Sequence, residues 1–564
     1  MSEKTLHEKI DFTTVRSLIE WAGDTYGEKT AYSFRTAPSS KDVVRISFNH
    51  FRQDVRALAC ELLAMGCAGK HCAVIGRLSY DYVSVYFAAL SIGAVLVPLD
   101  KDWHPDDLAD TCKKAKADYL FIDEDVAPKA LQIVASCPGV GSPVYMNATS
   151  NERCVGVLTA RGALKYSKDP DAYSNAPVDP DALALLVFTS GTTGKGKGVM
   201  LTQTAVLSDI CSILPYIDYK DKTIGVLPPH HTYGSTVMFL GHAIIGSEIY
   251  VSSGLRHISR ELKEKKPGHL ILVPLYLETF YRKILSSVKE QGKDKLLFRM
   301  IKLSNLLRKA GIDRRKQLFA SVRAAFGGEL ETVISGGAPL NQEIIDFFDA
   351  IGISVLNGYG ITECSPLIAV NHSKNIVKGS VGDVITIDTV KIDEPDENGE
   401  GEILVKGPNV MQGYYLDDEA TAAAMTPDGF FRTGDYGRLD DNILTITGRK
   451  KNLIILSNGK NVYPEEIENE LIAVPGVLEI VVYEGRSVRD PDYKAIVAEI
   501  YPDDEYIKKN GITDVKEYLK GYIDSYNKTA VPYKKVALVK LRKTEFPKNT
   551  LRKIKRFELN TNIE

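Results

Sequence analysis

Apolar positions along the chain follow two rhythms. From about residue 50, helical spacing in ALACELLAMG and YDYVSVYFAALSIG alternates with short apolar runs, CAVIG, AVLVPLD, DYLFID and LALLVFTS, bounded by turn residues. Runs of that length predict buried strands, and strands alternating with helices predict a mainly parallel sheet covered on both faces. VISGGAPL and VLNGYGITE repeat the theme, each a strand followed by a glycine turn that carries polar groups. Ligands collect beyond the carboxyl ends of strands in such sheets, so the glycine turns are expected to converge on one cleft.

After about residue 378 the texture changes. GDVITIDTVKIDEPDENGEGEILVKGP alternates and turns like a β-rich unit, and GDYGRLDDNILTITGRKKN closes it with a hairpin at Asp440–Asn442. A compact α/β tail begins at YPEEIENELIAVPGVLEIVVY. The expected division is a large α/β region of stacked sheets over 1–448, with its β-rich part at about 378–448, a junction at 449–453, and a small α+β domain over 454–564. One segment, about 285–325, looks inserted. Within it Leu296, Met300, Leu303 and Leu307 form a helical stripe, with Lys295, Arg299, Lys302 and Lys309 beside it. Two readings stand: a surface helix packed by its leucines and solvated by its lysines, or peripheral contact of the 285–316 segment with an anionic membrane.

Composition narrows the function classes. The chain has 564 residues, 44% hydrophobic and 25% charged, with Lys+Arg 70 against Asp+Glu 73. No global field favours nucleic acid, which is not expected as a partner. The start, MSEKTLHEKIDFTTV, lacks the apolar core of a signal peptide, and no apolar run approaches the roughly 20 residues of a spanning helix. The eight cysteines are scattered without a C-x-x-C pair. Reduced thiols in a cytoplasmic protein are expected, with peripheral attachment at the inner face of the membrane as the open variant.

Phosphate chemistry is announced by VFTSGTTGKGKGVMLTQ, where glycines, hydroxyls and cations crowd one turn. Gly191 to Lys197 fits seven of the eight positions of the Walker loop, but Gly198 stands where a Ser or Thr must hold magnesium. Another metal ligand, or another machine, is required.

Seven motifs in order supply that machine: TSGTTGKGKGV, PPHHTYG, SGGAPL, NGYGITE, FRTGDYG, GRKKNLIILSNGKNVYPEEIE and PKNTLRKIKR. Together they resemble the adenylate-forming superfamily of acyl-CoA synthetases, luciferases and peptide-synthetase adenylation domains. The resemblance implies that Thr189, Ser190, Gly191, Thr192, Thr193 and Gly194 clamp the β- and γ-phosphates of ATP, with Lys197 adding charge; glycine lets backbone amides approach an anion closely. It implies that Gly336, Gly337 and Ala338 pack on the nucleoside and that Tyr359, followed by Gly360, stacks on adenine. Thr362 would touch the α-phosphate and Glu363 would hold Mg2+, which needs only one or two carboxylates beside phosphate oxygens. Asp435 would accept the ribose hydroxyls with Arg449 nearby. His231 would line the tunnel where carboxylate and thiol meet, with His230 as the alternative. Lys553 matches the catalytic lysine, whose cation would bridge carboxylate and α-phosphate. Lys451 would be the pivot of a mobile C-terminal domain, whose rotation brings Gly459 to the thiol tunnel. The family usually has proline in place of Gly196 and glycine in place of Arg552.

Amino-acid-activating relatives place an aspartate where this chain has Thr232, so with no buried anion evident a neutral-tailed acid is favoured. The insertion resembles bacterial long-chain fatty acyl-CoA synthetases. The expected reaction is activation of a fatty acid to acyl-adenylate, with release of pyrophosphate, and transfer to CoA. Delivery to an acyl carrier protein is the alternative, and a non-catalytic nucleotide- or acyl-binding protein on the same fold is a third reading.

Overall fold

A computed structural model describes residues 10–148, 152–189, 196–455, 461–487, 494–548 and 554–563. The predicted strands form a seven-stranded sheet. Val144–Met146, Tyr119–Asp123, His71–Ile75, Val95–Leu99 and Leu183–Thr189 lie parallel in that spatial order, and Lys197–Thr202 and Gly413–Tyr414 complete it antiparallel. The helical patterns become Phe48–Ala64 and Tyr80–Ser91, N-capped by Ser47 and Ser79, whose side chains accept from backbone amides of the first turn. Tyr80–Ser91 is buried along nearly its whole length, which explains why its apolar pattern runs almost all round the helix.

A second sheet of nine strands begins parallel with His269–Leu272, Thr332–Ser335 and Ser354–Gly360. It continues antiparallel through Leu367–Val370, Gly382–Val384, Ile443–Arg449, Phe431–Asp440, Gly401–Lys406 and Thr389–Asp393. The β-rich region thus shares a hydrogen-bonded sheet with the α/β region before it. Three strands separate Ser354–Gly360 from Phe431–Asp440, a spacing of roughly 19 Å at about 4.8 Å per strand. Tyr359 nonetheless hydrogen-bonds Asp435 at 2.8 Å, so the sheet curls and brings two of the glycine turns together.

A smaller body follows Arg449. One 3-10 turn, Lys450–Asn452, leads to Ile454–Ile455. A four-stranded sheet, Leu538–Leu541, Lys494–Pro502, Val477–Ser487 and Asn562–Ile563, packs with helices Pro464–Leu471 and Val515–Thr529. Its buried cluster, including Ile454, Val462, Ile467, Val482 and Leu519, draws on nothing before Ile454. Its polar contacts with the larger body include two exposed ones, Lys509 with Glu290 at 2.8 Å and Lys289 with Asn510 at 3.2 Å, and a half-buried one, Asn341 to the Asn469 carbonyl at 2.5 Å. All eight cysteines are buried, and none forms a disulfide. Among the described residues no helix is long and apolar enough to cross a membrane.

The inserted segment meets the packed-stripe reading only in part: Met300 packs against a buried cluster and Leu307 is half-buried. Helix Asp294–Lys309 buries Leu297 and Ser304, while Leu296 and Leu303 of the expected stripe are about half exposed, at 53% and 50%. Helical periodicity defines a stripe but not the direction it faces.

Candidate active site

The loop that nearly spells a Walker motif joins two antiparallel strands. Thr189, the last residue of one, pairs with Lys197, the first of the next. A Walker loop leads from a strand into a helix, so the connection itself excludes that machine. Ser190, Gly191, Thr192, Thr193 and Gly194 lie outside the described residues, as do Gly459 and Lys553. At the loop's end Lys114 Nζ donates to the Gly196 carbonyl at 3.0 Å, and Lys197 Nζ sits 4.5 Å from the centre of the Tyr414 ring.

Tyr414 connects that loop to the next motif. Its hydroxyl donates to Glu363 Oε1 at 2.9 Å. Burial, then the charge of Glu363, pushes the Tyr414 phenol well above its ordinary value, so it remains the donor. Glu363 is only partly buried and leaves carboxylate capacity open, with Thr362 beside it. No cluster of three or more metal-ligating side chains occurs among the described residues. One anchored carboxylate fits a magnesium ion completed by phosphate oxygens rather than a metal caged by protein.

The turn carrying Glu363 is fastened from behind by residues the sequence did not single out. The Glu363 carbonyl accepts from the Met411 amide at 2.8 Å, and Ser365 Oγ donates to the Asn409 carbonyl at 2.7 Å. Asp209 Oδ1 accepts from the Leu367 amide at 3.1 Å and from Asn409 Nδ2 at 3.3 Å, while the same amide lies 3.2 Å from Asp388 Oδ2. Burial raises both carboxyls, Asp209 well above its usual value and Asp388 to about 7. Gly360 has a steric reason to be glycine: a Cβ there would lie 1.9 Å from the Pro366 carbonyl oxygen.

Asp435 is the hub of the second group. It is buried at 3% exposure, accepts from the Tyr359 hydroxyl at 2.8 Å and pairs with Arg449 Nε at 2.9 Å. Strand pairing sets Asp435 opposite Arg449. Burial, reinforced by the Asp435 charge, raises the Tyr359 phenol well above its usual value and keeps it a donor. Gly336 is buried against Tyr233, whose ring a Cβ would approach at 3.1 Å, while Gly337 and Ala338 are exposed. The Tyr233 hydroxyl lies within bonding distance of the Leu272 and Ile334 carbonyls.

Tyr233 opens a stretch of wide π-helical turns, Tyr233–Leu240, a form frequent at functional sites. Two neutral histidines pin its far end. His242 Nδ1 donates to the Met238 carbonyl at 2.6 Å, which leaves Nε2 as an acceptor. His269 Nδ1 accepts from the Lys220 amide at 3.2 Å, so its Nε2 donates to His242 Nε2 at 2.8 Å. Burial lowers His242 to about 4 and His269 well below its usual value.

Beside these groups lies a cleft of about 1670 Å³. Apolar side chains, including Phe34, Leu227, Val251, Ile258, Val273 and Phe280, line much of it. Thr189 and Gly196, the described ends of the glycine-rich loop, border it, and so do Lys548 and Lys555 from the small body. Lys548 and Ile554, which bound the segment containing Lys553, form an antiparallel bridge. Lys548 is itself neutralised by Glu479 and Glu545. Of the two histidines, His230 lines the cleft; its ring lies 4.2 Å from that of His231. Burial lowers His230 to about 4, so it is neutral near pH 7. Its Nε2 is 3.7 Å from Asp100 Oδ2, and neither atom has a hydrogen-bond partner among the described residues. Asp100, at 2% exposure, is a buried carboxylate at this cleft, contrary to the expectation that no buried anion is evident.

The chain belongs to the AMP-binding enzyme family, whose model matches residues 19–415. Among curated relatives it is 29% identical over 450 residues to long-chain-fatty-acid–CoA ligase FadD15 of Mycobacterium bovis, covering 76% of this chain and 73% of that protein. It is 31% identical over 464 residues to long-chain-fatty-acid–CoA ligase 6 of Mus musculus, covering 77% and 66%. Among solved structures the fold is similar to ATP-bound MatB from Rhodopseudomonas palustris, with a TM-score of 0.74 at 23% identity over 96% of this chain and 97% of that one. A Mycobacterium tuberculosis fatty acyl CoA synthetase gives 0.65 at 23% identity, over 96% of each chain.

Proposed function

We propose that this protein is an ATP-dependent fatty acid–CoA ligase. The observation that carries the reading is the linked array Lys197–Tyr414–Glu363 and Tyr359–Asp435–Arg449 beside a wide, largely apolar cleft. In the first step a carboxylate oxygen attacks the α-phosphorus of ATP; a P–O bond forms, and pyrophosphate leaves with the electrons of the bond that breaks. Two anions must meet, so a cation aimed at the transition state is required. Lys553 fills that role, with Lys548 and Lys555 on either side of its segment at the cleft. Magnesium, held by Glu363 and the phosphates, would neutralise charge on the leaving group. Asp435 receives the ribose hydroxyls, Gly336 to Ala338 face the nucleoside, and Thr362 meets the α-phosphate.

In the second step the CoA thiolate attacks the acyl carbonyl and AMP departs. His230 borders this passage, and rotation about Lys451 brings Gly459 to it. The polar part of the seam between the two bodies, Lys509 with Glu290 and Lys289 with Asn510, suits such a rotation, while Tyr463 packs on Tyr436 near the junction. The curated relatives named as CoA ligases favour CoA over a carrier protein as acceptor.

Pyrophosphate release measured across acids of increasing chain length, with and without CoA, tests the proposal. Acid-dependent release and acyl-CoA formation are expected. Release without acyl-CoA when CoA is supplied, or product on carrier protein alone, overturns the choice of acceptor. No release with any acid overturns the enzyme reading.

A further inference from the structure

Glu363 and the glycine-rich loop belong to different sheets, and one side chain ties them together. Glu363 lies in the 3-10 turn Thr362–Cys364, which follows Ser354–Gly360 of the nine-stranded sheet. Lys197–Thr202, on which the loop ends, belongs to the seven-stranded sheet. Tyr414 stands on the two-residue strand paired with Lys197–Thr202, Tyr414 opposite Val199 and Gly413 opposite Met200. The Tyr415 amide donates to the Gly198 carbonyl at 2.7 Å, and the Tyr414 amide to Thr421 Oγ1 at 2.8 Å. A Cβ on Gly413 (φ 147°) would lie 2.8 Å from Thr421 Cγ2, so glycine permits this close approach. The backbone of Tyr414 is thus fixed to the strand that bears Lys197. Its side chain is buried, and its hydroxyl reaches across to Glu363 Oε1 at 2.9 Å.

We propose that Tyr414 is a positioning residue for magnesium: its hydroxyl holds the Glu363 carboxylate at a set separation from the loop that clamps the phosphates. The inference rests on the reading that Glu363 holds the metal. A free glutamate samples several rotamers, and ordering it costs side-chain entropy when a cation binds. A donor bond made beforehand removes that cost, and a carboxylate with a donor on one oxygen keeps the other for a cation. A phenol suits the task better than an ammonium or guanidinium. It donates without adding positive charge beside the metal, and burial together with the Glu363 charge keeps it protonated. Lys197 Nζ lies over the same ring, 4.5 Å from its centre, so the loop's cation and the metal's ligand share one anchor. Fold support comes from elsewhere: the turn below Glu363 is fastened separately by Met411, Asn409 and Asp209.

The test is Tyr414→Phe, which removes the hydroxyl and keeps the ring under Lys197. Mn2+, a paramagnetic stand-in for Mg2+, is titrated into the full chain held in excess over α,β-methylene ATP, and bound metal is read by electron paramagnetic resonance, without turnover. Expected is a Kd for Mn2+ raised about tenfold, as for loss of a hydrogen bond to a charged group, with a thermal midpoint, measured without metal or nucleotide, within roughly 2 °C of wild type. Glu363→Gln should weaken Mn2+ binding by about tenfold or more. Added to Glu363→Gln, Tyr414→Phe should change the Kd by less than about twofold, because its effect runs through that carboxylate. An equal Kd in wild type and Tyr414→Phe overturns the proposal, as does an effect of Tyr414→Phe that persists in full beside Glu363→Gln. If Glu363→Gln alone leaves Mn2+ binding unchanged, the metal reading fails and takes the proposal with it. If the thermal midpoint of Tyr414→Phe falls further, the double variant decides, since a fold defect would weaken binding with or without Glu363.

Discussion

The two ends of the site are built by opposite means. At the nucleotide end each polar side chain is held by another: Asp435 by Tyr359 and Arg449, Glu363 by Tyr414, and the turn beneath Glu363 by Asn409 and Asp209. At the cleft end, apolar walls enclose a large volume, and the polar atoms of His230 and Asp100 that face each other have no hydrogen-bond partner among the described residues. A preorganised array suits a reactant that never varies, because its donors need no rearrangement when charge develops. A greasy, loosely specified cleft suits a family of related tails, since apolar contact discriminates weakly. Under the proposed function, ATP would be read by geometry and the acid by volume.

Lys553→Ala should break the contrast most severely. Adenylation is expected to fall by roughly 10²–10³, measured as acid-dependent pyrophosphate release, while thioester formation from supplied acyl-adenylate changes by less than about threefold. Equal loss in both half-reactions would contradict the rotation. Asp435→Ala removes the acceptor of Tyr359 and Arg449 and with it the proposed acceptor of ribose. The KM for ATP should rise about 10- to 100-fold, with the preference among acids unaltered; a shifted acid preference would show that the two ends are not separate. Thr279→Trp should act in the opposite way. Filling the cleft wall is expected to favour short over long acids by roughly tenfold in kcat/KM without changing the KM for ATP.

Asp388→Asn is expected to change activity least, by less than about twofold, and to show instead in stability. The folded Asp388 carboxyl titrates at about 7, above an ordinary aspartate, because burial disfavours its charge. Between about pH 4 and 7 the folded state therefore holds this proton more tightly than the unfolded chain, and stability is lost as pH rises through that window. The neutral asparagine lacks this slope. Urea midpoints of wild type and variant should accordingly diverge as pH is raised from about 4 to 7; parallel curves would show that Asp388 is not protonated there.

Much of this arrangement was legible before the structure. Strands were marked by short apolar runs, and the motif turns carry residues whose chemistry leaves few other uses. Their mutual holding was not legible. Tyr414, Asp209, Asn409 and Asp388 sit in unremarkable sequence and become functional neighbours only when distant segments meet. Asp100 follows an apolar strand like many turn residues, and nothing local shows that it will be buried. The outward leucines were invisible for a different reason: the same stripe arises whether a helix faces a core or the outside.

The helix Pro274–Glu290 touches the cleft at its beginning and the small body near its end, through Glu290 with Lys509 and Lys289 with Asn510. Seventeen residues make a stiff rod of roughly 25 Å. One rigid element thus supplies a wall of the cleft with its first turns and two polar contacts to the small body with its last, so the cleft wall and that seam share a single backbone.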